Sequence, residues 1–236
     1  LLEEKGVLLS DGATGTNLFE MGLESGAAPE LWNDELPDNI RKLHQDFVDA
    51  GSDIILTNSF GGTRHRLKLH EAEHRVHELN EKAALIAREI ADNAPKKIIV
   101  AGSVGPTGEL LQPLGNLSYE DCVEAFVEQM EGLIAGGVDV LWIETMSSPD
   151  EINAAAQAAN QVDMPYILTA SFDTAGRTMM GLPPEQVHDV IGQEKKPVAV
   201  GANCGVGASD LLSSVLDMRS QFLPVSTEAV ELSQAL

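Results

Sequence analysis

The sequence predicts an α/β fold in which parallel strands alternate with helices. Six short runs rich in Val, Ile and Leu recur along the chain, and longer segments of helical period separate them. Near-continuous apolar runs are typical of strands buried on both faces, and helical crossovers imply a parallel sheet. A polar or glycine-rich turn follows each run, as in a (β/α)8 barrel, where the strand ends carry the active site. An open doubly wound sheet is the alternative, but no turn supplies G-x-G-x-x-G after the first strand.

Each predicted unit repeats the same plan of strand, polar turn and helix. Ser and Pro residues are placed to begin helices, and a glycine pair is placed to end one. No linker or change of composition divides the chain, so one domain over 1–236 is expected. The strands are expected at 6–10, 53–57, 97–101, 138–144, 165–169 and 197–201. The helices are expected at 69–90, from Ser118 to Gly136-Gly137, from Ser148-Pro149 onward, and at 210–218.

The composition excludes several classes of function. The chain has 15 Lys and Arg against 37 Asp and Glu, which gives a formal net charge of −22. A surface that binds nucleic acid needs a basic stripe, so neither nucleic acid nor an anionic membrane is an expected partner. No apolar run reaches the roughly 18 to 20 residues of a membrane span, and the first residues lack the order of a signal peptide. A cytoplasmic location is therefore expected, with Cys122 and Cys204 both reduced.

Six motifs stand in order at the predicted strand ends. They are DGATGT at 11–16, LTNSFGGT at 56–63, AGSVGPTGE at 101–109, WIETM at 142–146, SFD at 171–173 and GANCG at 201–205. Together they resemble the homocysteine S-methyltransferase family, from about residue 8 to about residue 218. The resemblance implies a (β/α)8 barrel that binds zinc, homocysteine and a methyl donor at the strand ends, and it implies that 227–236 is the last helix.

The resemblance implies roles for several residues in these turns. Glu144 ends an apolar strand and would hold the ammonium group of homocysteine, although a solvated acid at a strand end is the ordinary alternative. Asp11 would orient the substrate or the donor, and ordinary turn chemistry is its alternative. Further substrate contacts are implied for Gly12, Thr57, Phe60 and Asn203.

Trp32 lies in the long loop after the first strand. Its aromatic face is a candidate to meet an onium donor by cation–π attraction. Packing for stability is the alternative.

Cys204 is the cysteine that follows a predicted strand, and the resemblance makes it the first of three zinc thiolates. Zinc suits the reaction because it holds the substrate thiol as a thiolate at neutral pH. The two other ligands of the family are an adjacent Cys pair, which this sequence lacks, and Cys122 is expected on the outside of the barrel. Two of the three expected ligands are therefore absent from the chain.

Counting strands reveals the same shortfall. Six strands are complete by Gly201, whereas a closed barrel of this kind needs eight. We expect a native polypeptide longer by about two β/α units, with the gap near 219–223. A deletion that removed the zinc chemistry is the open alternative.

One rival motif is present, since His70 to His74 fits the H-E-x-x-H signature of zinc proteases. On a helix the two histidines would share the flank, outside the barrel and away from the strand ends. A solvated, salt-bridging helix flank is therefore expected.

The resulting hypothesis is a zinc-dependent homocysteine S-methyltransferase that forms methionine from homocysteine and an onium donor. Glycine betaine is favoured as the donor, and S-methylmethionine is the second candidate. Two alternatives stay open: a homocysteine-binding module of a cobalamin-dependent methionine synthase-like system, and a zinc-free inactive barrel that binds an amino acid. A homo-oligomer is a further open expectation.

Overall fold

The computed structural model describes residues 1–173, 175–191 and 196–219, and within them five parallel strands form one sheet in sequential order. Neighbouring strands are consecutive in the chain and are joined by segments that contain helices, as in a (β/α) barrel. The predicted α/β fold is confirmed, and a doubly wound sheet is excluded because its strand order would reverse. The strands are β1 (Ile54–Leu56), β2 (Ile99–Val104), β3 (Val140–Met146), β4 (Tyr166–Ala170) and β5 (Ala199–Ala202).

The helices pack on the outer face of this sheet. Ser118 and Ser148 cap the helices Tyr119–Ala135 and Pro149–Gln161 as predicted, since each side chain accepts a hydrogen bond from the backbone N–H three residues on. Residues 220–236, with the predicted last helix, lie outside the described part of the chain. The helices are α1 (Leu2–Lys5), α2 (Thr14–Glu20), α3 (Trp32–Glu35), α4 (Pro37–Ala50), α5 (Arg64–Leu67), α6 (Val76–Asn93), α7 (Tyr119–Ala135), α8 (Pro149–Gln161), α9 (Val187–Val190) and α10 (Ala208–Arg219). Short 3₁₀ helices lie at Pro29–Leu31, Lys68–His70, Glu73–Arg75 and Pro184–Gln186.

The predicted first strand is reduced to one parallel bridge between Ser10 and Ile54. Two carboxylates take the place of backbone acceptors along this pairing. Asp53 Oδ2 accepts from the N–H of Leu9 at 3.2 Å, and Asp11 Oδ2 accepts from the N–H of Leu56 at 2.7 Å. The backbone is thus held in a strand-like position without a regular ladder.

The predicted helix at 69–90 begins only at Val76. Glu71 has a φ of 58°, which interrupts the helical path, and two 3₁₀ helices occupy the preceding turns. Leu67 is buried in place of Leu69, whose side chain is 70% exposed.

The two faces of the sheet bury different clusters. Leu141 and Ile143 of β3 point outward into the main core formed with the helices. Val140 and Trp142 point to the inner face, where they pack with Ile54. Side chains alternate along a strand, so Glu144 continues the inner set and reaches the carboxyl end of the sheet. No helix in the described residues has the length and apolar character needed to cross a membrane.

Candidate functional site

A cavity of about 910 Å³ opens at the carboxyl ends of the strands. Its walls come from the turn after Ser10, the turn after β1, and the ends of β2 to β5, which are far apart in sequence. Seven of the eight residues predicted for the site line this cavity: Asp11, Gly12, Thr57, Phe60, Glu144, Asn203 and Cys204. The barrel topology therefore gathers the predicted residues in one place.

Glu144 presents a largely buried carboxylate to the cavity. Ser103 donates its hydroxyl to Oε1 at 2.6 Å, and the Asn203 amide donates to Oε2 at 3.4 Å. Burial raises the pKa of the Glu144 carboxyl, and the Ser103 and Thr145 hydrogen bonds oppose that rise. None of the described cations forms an ion pair with it. The carboxylate is consequently suited to receive a cationic group from a ligand.

Asp11 stands beside Glu144 at the first turn. Burial raises its pKa to about 7, and the charge of Glu144 adds to the rise. The side chain is fixed by the hydrogen bond that Asp11 accepts from Leu56 N–H at 2.7 Å. At Gly12, a Cβ would lie 3.2 Å from the Phe47 ring, so the turn approaches α4 closely. Two neighbouring carboxyl groups with raised pKa values are typical of a functional site.

Asn203 organises the turn that carries Cys204. Its amide oxygen accepts from Thr145 N–H at 2.9 Å and from the Thr169 hydroxyl at 2.7 Å, while its amide nitrogen donates to the Thr145 hydroxyl at 2.7 Å. Asn203 Nδ2 also lies 3.4 Å from Cys204 Sγ. Thr145 and Cys204 both have left-handed backbones, with φ of 61° and 59°. Such conformations in non-glycine residues cluster at functional sites.

Thr57 and Phe60 belong to the turn after β1. The Thr57 hydroxyl accepts from Ser103 N–H at 3.0 Å and lies 2.6 Å from the Ser59 hydroxyl. Phe60 is 37% exposed and its ring lies against Gly105, where a Cβ would be 2.6 Å from the ring. Thr57 thus joins two strand ends, and Phe60 forms part of the cavity wall.

Two amide side chains hold this turn from the outer helices. Asn80 of α6 donates to the Gly62 carbonyl at 2.9 Å, and Gln129 of α7 donates to the Ser59 carbonyl at 2.7 Å. Both are fully buried. We call this pair the helix clamp, because it fixes the backbone of residues 59–62 against α6 and α7.

Trp32 does not line the cavity. It is 8% exposed and packs with Leu18, Leu23 and Ile40 in a cluster under the first loop. The reason is local: the short helix α3 turns the indole toward α4, so the packing alternative describes this residue.

The predicted position of the histidine motif is wrong. Because the chain turns at Glu71, His70 and His74 do not share a helical face. His70 instead lines the cavity, while no group of three or more His, Cys, Asp or Glu residues in the described chain is arranged to hold a metal. A zincin site is therefore not supported.

The two cysteines lie in different environments. Cys204 is exposed just after β5, whereas Cys122 is a buried residue of α7, where burial raises its pKa to about 12. Cys204 is the one cysteine at the cavity, so the described residues do not fit a complete zinc site, which keeps three protein ligands.

Sequence reasoning did not identify Glu30 and Arg66, which also line the cavity. Glu30 is 5% exposed and accepts from Gly61 N–H at 2.6 Å. Burial raises the pKa of the Glu30 carboxyl, and the nearby charges of Arg66 and His70 oppose that rise. Glu30 belongs to the 3₁₀ helix Pro29–Leu31, outside the strand-end motifs, and Arg66 follows the motif at 56–63 by three residues.

Comparisons with known proteins agree with this architecture. The chain is 27% identical over 241 residues to a methionine synthase of Mycobacterium tuberculosis (strain ATCC 25618 / H37Rv), covering 93% of this chain but only 20% of that relative. The chain therefore spans about a fifth of the length of this curated relative.

Solved structures of the homocysteine methyltransferase MmuM from Escherichia coli share the fold. The metallated form has a TM-score of 0.80 at 24% identity, covering 93% of this chain and 82% of that chain. The oxidized form has a TM-score of 0.77 at 26% identity, covering 94% and 81%. At the level of sequence, residues 8–233 match the homocysteine S-methyltransferase family, and the chain therefore belongs to that family.

Proposed function

We propose that this chain binds homocysteine in the cavity and transfers a methyl group to its sulfur, giving methionine. The observation that carries the proposal is the buried Glu144 carboxylate, which faces the cavity with two neutral hydrogen-bond donors and no cation. An amino-acid ammonium group would supply the missing charge. Membership of the family supports the reaction class.

The chemistry asks the protein to orient two substrates and to remove one proton. A free thiol has a pKa near 8.5 and is mostly protonated at neutral pH. Asp11 has a pKa of about 7 and is therefore able to exchange a proton in that range. The resulting sulfur lone pair forms the new S–CH₃ bond while the N–CH₃ bond of the donor breaks, and its electron pair stays on the departing amine.

Glycine betaine is our first choice of donor, because the segments at 56–63 and 201–207 most resemble the bacterial betaine-type members of the family. S-methylmethionine is the second choice. In the second case a C–S bond of the sulfonium breaks and its electron pair stays on sulfur.

Zinc dependence is a further proposal that rests on the resemblance. Cys204 would be one thiolate ligand, and its position at the end of β5 is suitable for that role. The chain has only two cysteines in total, and Cys122 is a buried residue of α7, away from the cavity. Two further ligands are therefore needed, and the steps above do not depend on them.

A second candidate function is homocysteine binding without transfer by this chain alone. Two observations favour it: a single thiol lies at the cavity, and the methionine synthase relative is about five times longer. The chain would then be either a homocysteine-binding module of a larger system or a zinc-free barrel. A cytoplasmic location and a homo-oligomeric state also stay proposals.

The test combines binding and turnover on the same sample. Calorimetry with homocysteine measures binding, and mass spectrometry of methionine formed from trideuteriomethyl-labelled betaine or S-methylmethionine measures transfer. Binding with transfer supports the proposal, binding without transfer from either donor supports the second candidate, and absence of binding contradicts both.

A further inference from the structure

Arg66 is an unpaired cation in the wall of the cavity. It belongs to α5, which Thr63 caps, and its side chain is half-buried over Gly108, with Nη1 3.2 Å from the position of a Cβ there. Its guanidinium group makes no hydrogen bond or ion pair with any residue that the structure describes. The cavity is thus the place where this cation would find an anion.

Five other arginine side chains behave differently. Four of them form ion pairs with carboxylates, and the fifth donates to a backbone carbonyl. In a chain of net charge −22, an arginine without an acidic partner is unexpected. These five residues are Arg41, Arg64, Arg75, Arg88 and Arg177.

The charges around the cavity fall into two regions. Asp11 and Glu144 influence each other and form the acidic region. The charges of Arg66 and His70 act on the Glu30 carboxyl, and neither residue forms an ion pair or a hydrogen bond with Glu144, whose partners are Ser103 and Asn203. A volume of about 910 Å³ lies at the upper end of pockets that enclose drug-sized ligands, so it accommodates two small substrates.

Homocysteine would fill the acidic region. Its ammonium and carboxylate groups are attached to one carbon, so binding the ammonium at Glu144 keeps that carboxylate near Glu144 as well. Arg66 is then available to a second anion. Guanidinium binds carboxylate through two parallel hydrogen bonds, which fixes orientation as well as charge.

We propose that Arg66 binds the carboxylate of the methyl donor and selects donors that are zwitterionic onium carboxylates. This inference rests on the proposed function, because it assigns the acidic region to homocysteine. The donor would lie with its carboxylate at Arg66 and its onium group toward the acidic region. Arg66 is then a specificity-determining residue that plays no part in proton transfer.

The test compares each donor with its methyl ester, which keeps the onium group but lacks the anionic carboxylate. Calorimetry on protein saturated with homocysteine measures the Kd of glycine betaine and its ester, and of S-methylmethionine and its ester. For at least one donor, the unmodified protein should prefer the carboxylate by about tenfold to a hundredfold, the usual effect of a hydrogen bond to a charged group. Arg66→Gln should abolish that preference, and Arg66→Lys should retain part of it.

Arg64→Gln is the matched control, since Arg64 pairs with Glu128 and does not line the cavity. It should keep the preference, and all variants should keep their homocysteine affinity and thermal unfolding temperature. Three outcomes would overturn the role of Arg66. The unmodified protein could bind the carboxylate and the ester with equal affinity, Arg66→Gln could retain the preference for the carboxylate, or neither donor could bind to the homocysteine complex. Absence of homocysteine binding in the unmodified protein would instead overturn the proposed function, and this inference with it.

Discussion

Replacing Glu144 by Gln tests the basis of the substrate assignment. Gln has nearly the same shape and keeps an oxygen that accepts from the Ser103 hydroxyl, now 2.6 Å from the carboxylate. The change therefore removes the charge and the long 3.4 Å contact with the Asn203 amide, and it keeps the size of the side chain at the end of β3. A hydrogen bond to a charged group contributes about 1.5 to 3 kcal/mol, so we expect homocysteine to bind roughly 10 to 150 times more weakly.

The assay is calorimetric titration with homocysteine, repeated across pH. Burial raises the pKa of Glu144, and only its ionised form attracts an ammonium group, so wild-type affinity should fall as pH decreases through that pKa. The variant should lack this component of the pH dependence. Glu89→Gln is the control, because Glu89 of α6 forms an exposed ion pair with Arg41 of α4, away from the cavity. Homocysteine affinity unchanged in Glu144→Gln would refute the assignment.

Three other substitutions test the remaining parts of the site. Between pH 3.8 and about 7, Asp11 keeps its proton in the folded state but has lost it in the unfolded state, so the free energy of unfolding should fall as pH rises through this window. Asp11→Asn should remove that pH dependence and raise the free energy of unfolding at pH 8 by roughly 2 to 4 kcal/mol, measured by urea titration. A pH-independent difference between the two proteins would contradict this. The same variant should transfer methyl groups more slowly. Cys204→Ser should abolish the rapid reaction of one thiol with Ellman's reagent in the native protein and impair transfer, whereas Cys122→Ser should do neither. Asn203→Ala should lower the free energy of unfolding by about 2 to 4 kcal/mol, because it leaves partly buried donors on Thr145 and Thr169 without their acceptor. A loss below about 0.5 kcal/mol would contradict the stabilising role of these hydrogen bonds.

Strand periodicity was sufficient to predict where most of the site lies. The alternation along β3 places Glu144 on the inner face with Trp142. Each polar turn follows a buried run, so the turns could be assigned to one end of the sheet without knowing the register of the strands. The prediction of a regular first strand was wrong, because the structure has only one bridge there. Nothing in the local sequence indicates that the side chains of Asp11 and Asp53 would accept hydrogen bonds from backbone N–H groups in place of carbonyl oxygens.

The remaining residues depend on contacts between distant segments. Glu30 reaches the cavity because its carboxylate accepts from Gly61 N–H, 31 residues away. Arg66 lies on α5, directly after the turn that follows β1, and His70 ends the next 3₁₀ helix, just before the chain turns at Glu71, a position with neither Gly nor Pro to indicate a break. Trp32 illustrates the opposite case, since an aromatic residue in a loop gives no indication of whether packing or ligand binding determines its place.

The helix clamp links the buried contact between α6 and α7 to the wall of the cavity. Asn80 and Gln129 transmit any change in the spacing of α6 and α7 to the turn that carries Phe60. Two glycines of α7 lie at this contact: a Cβ at Gly132 would lie 2.7 Å from the His77 carbonyl, and a Cβ at Gly136 would collide with the Glu81 carbonyl. A single methyl group added there, remote from every ligand, would act at the cavity through the clamp. Random mutagenesis aimed at altered substrate preference should therefore recover changes along this seam as well as in the cavity wall.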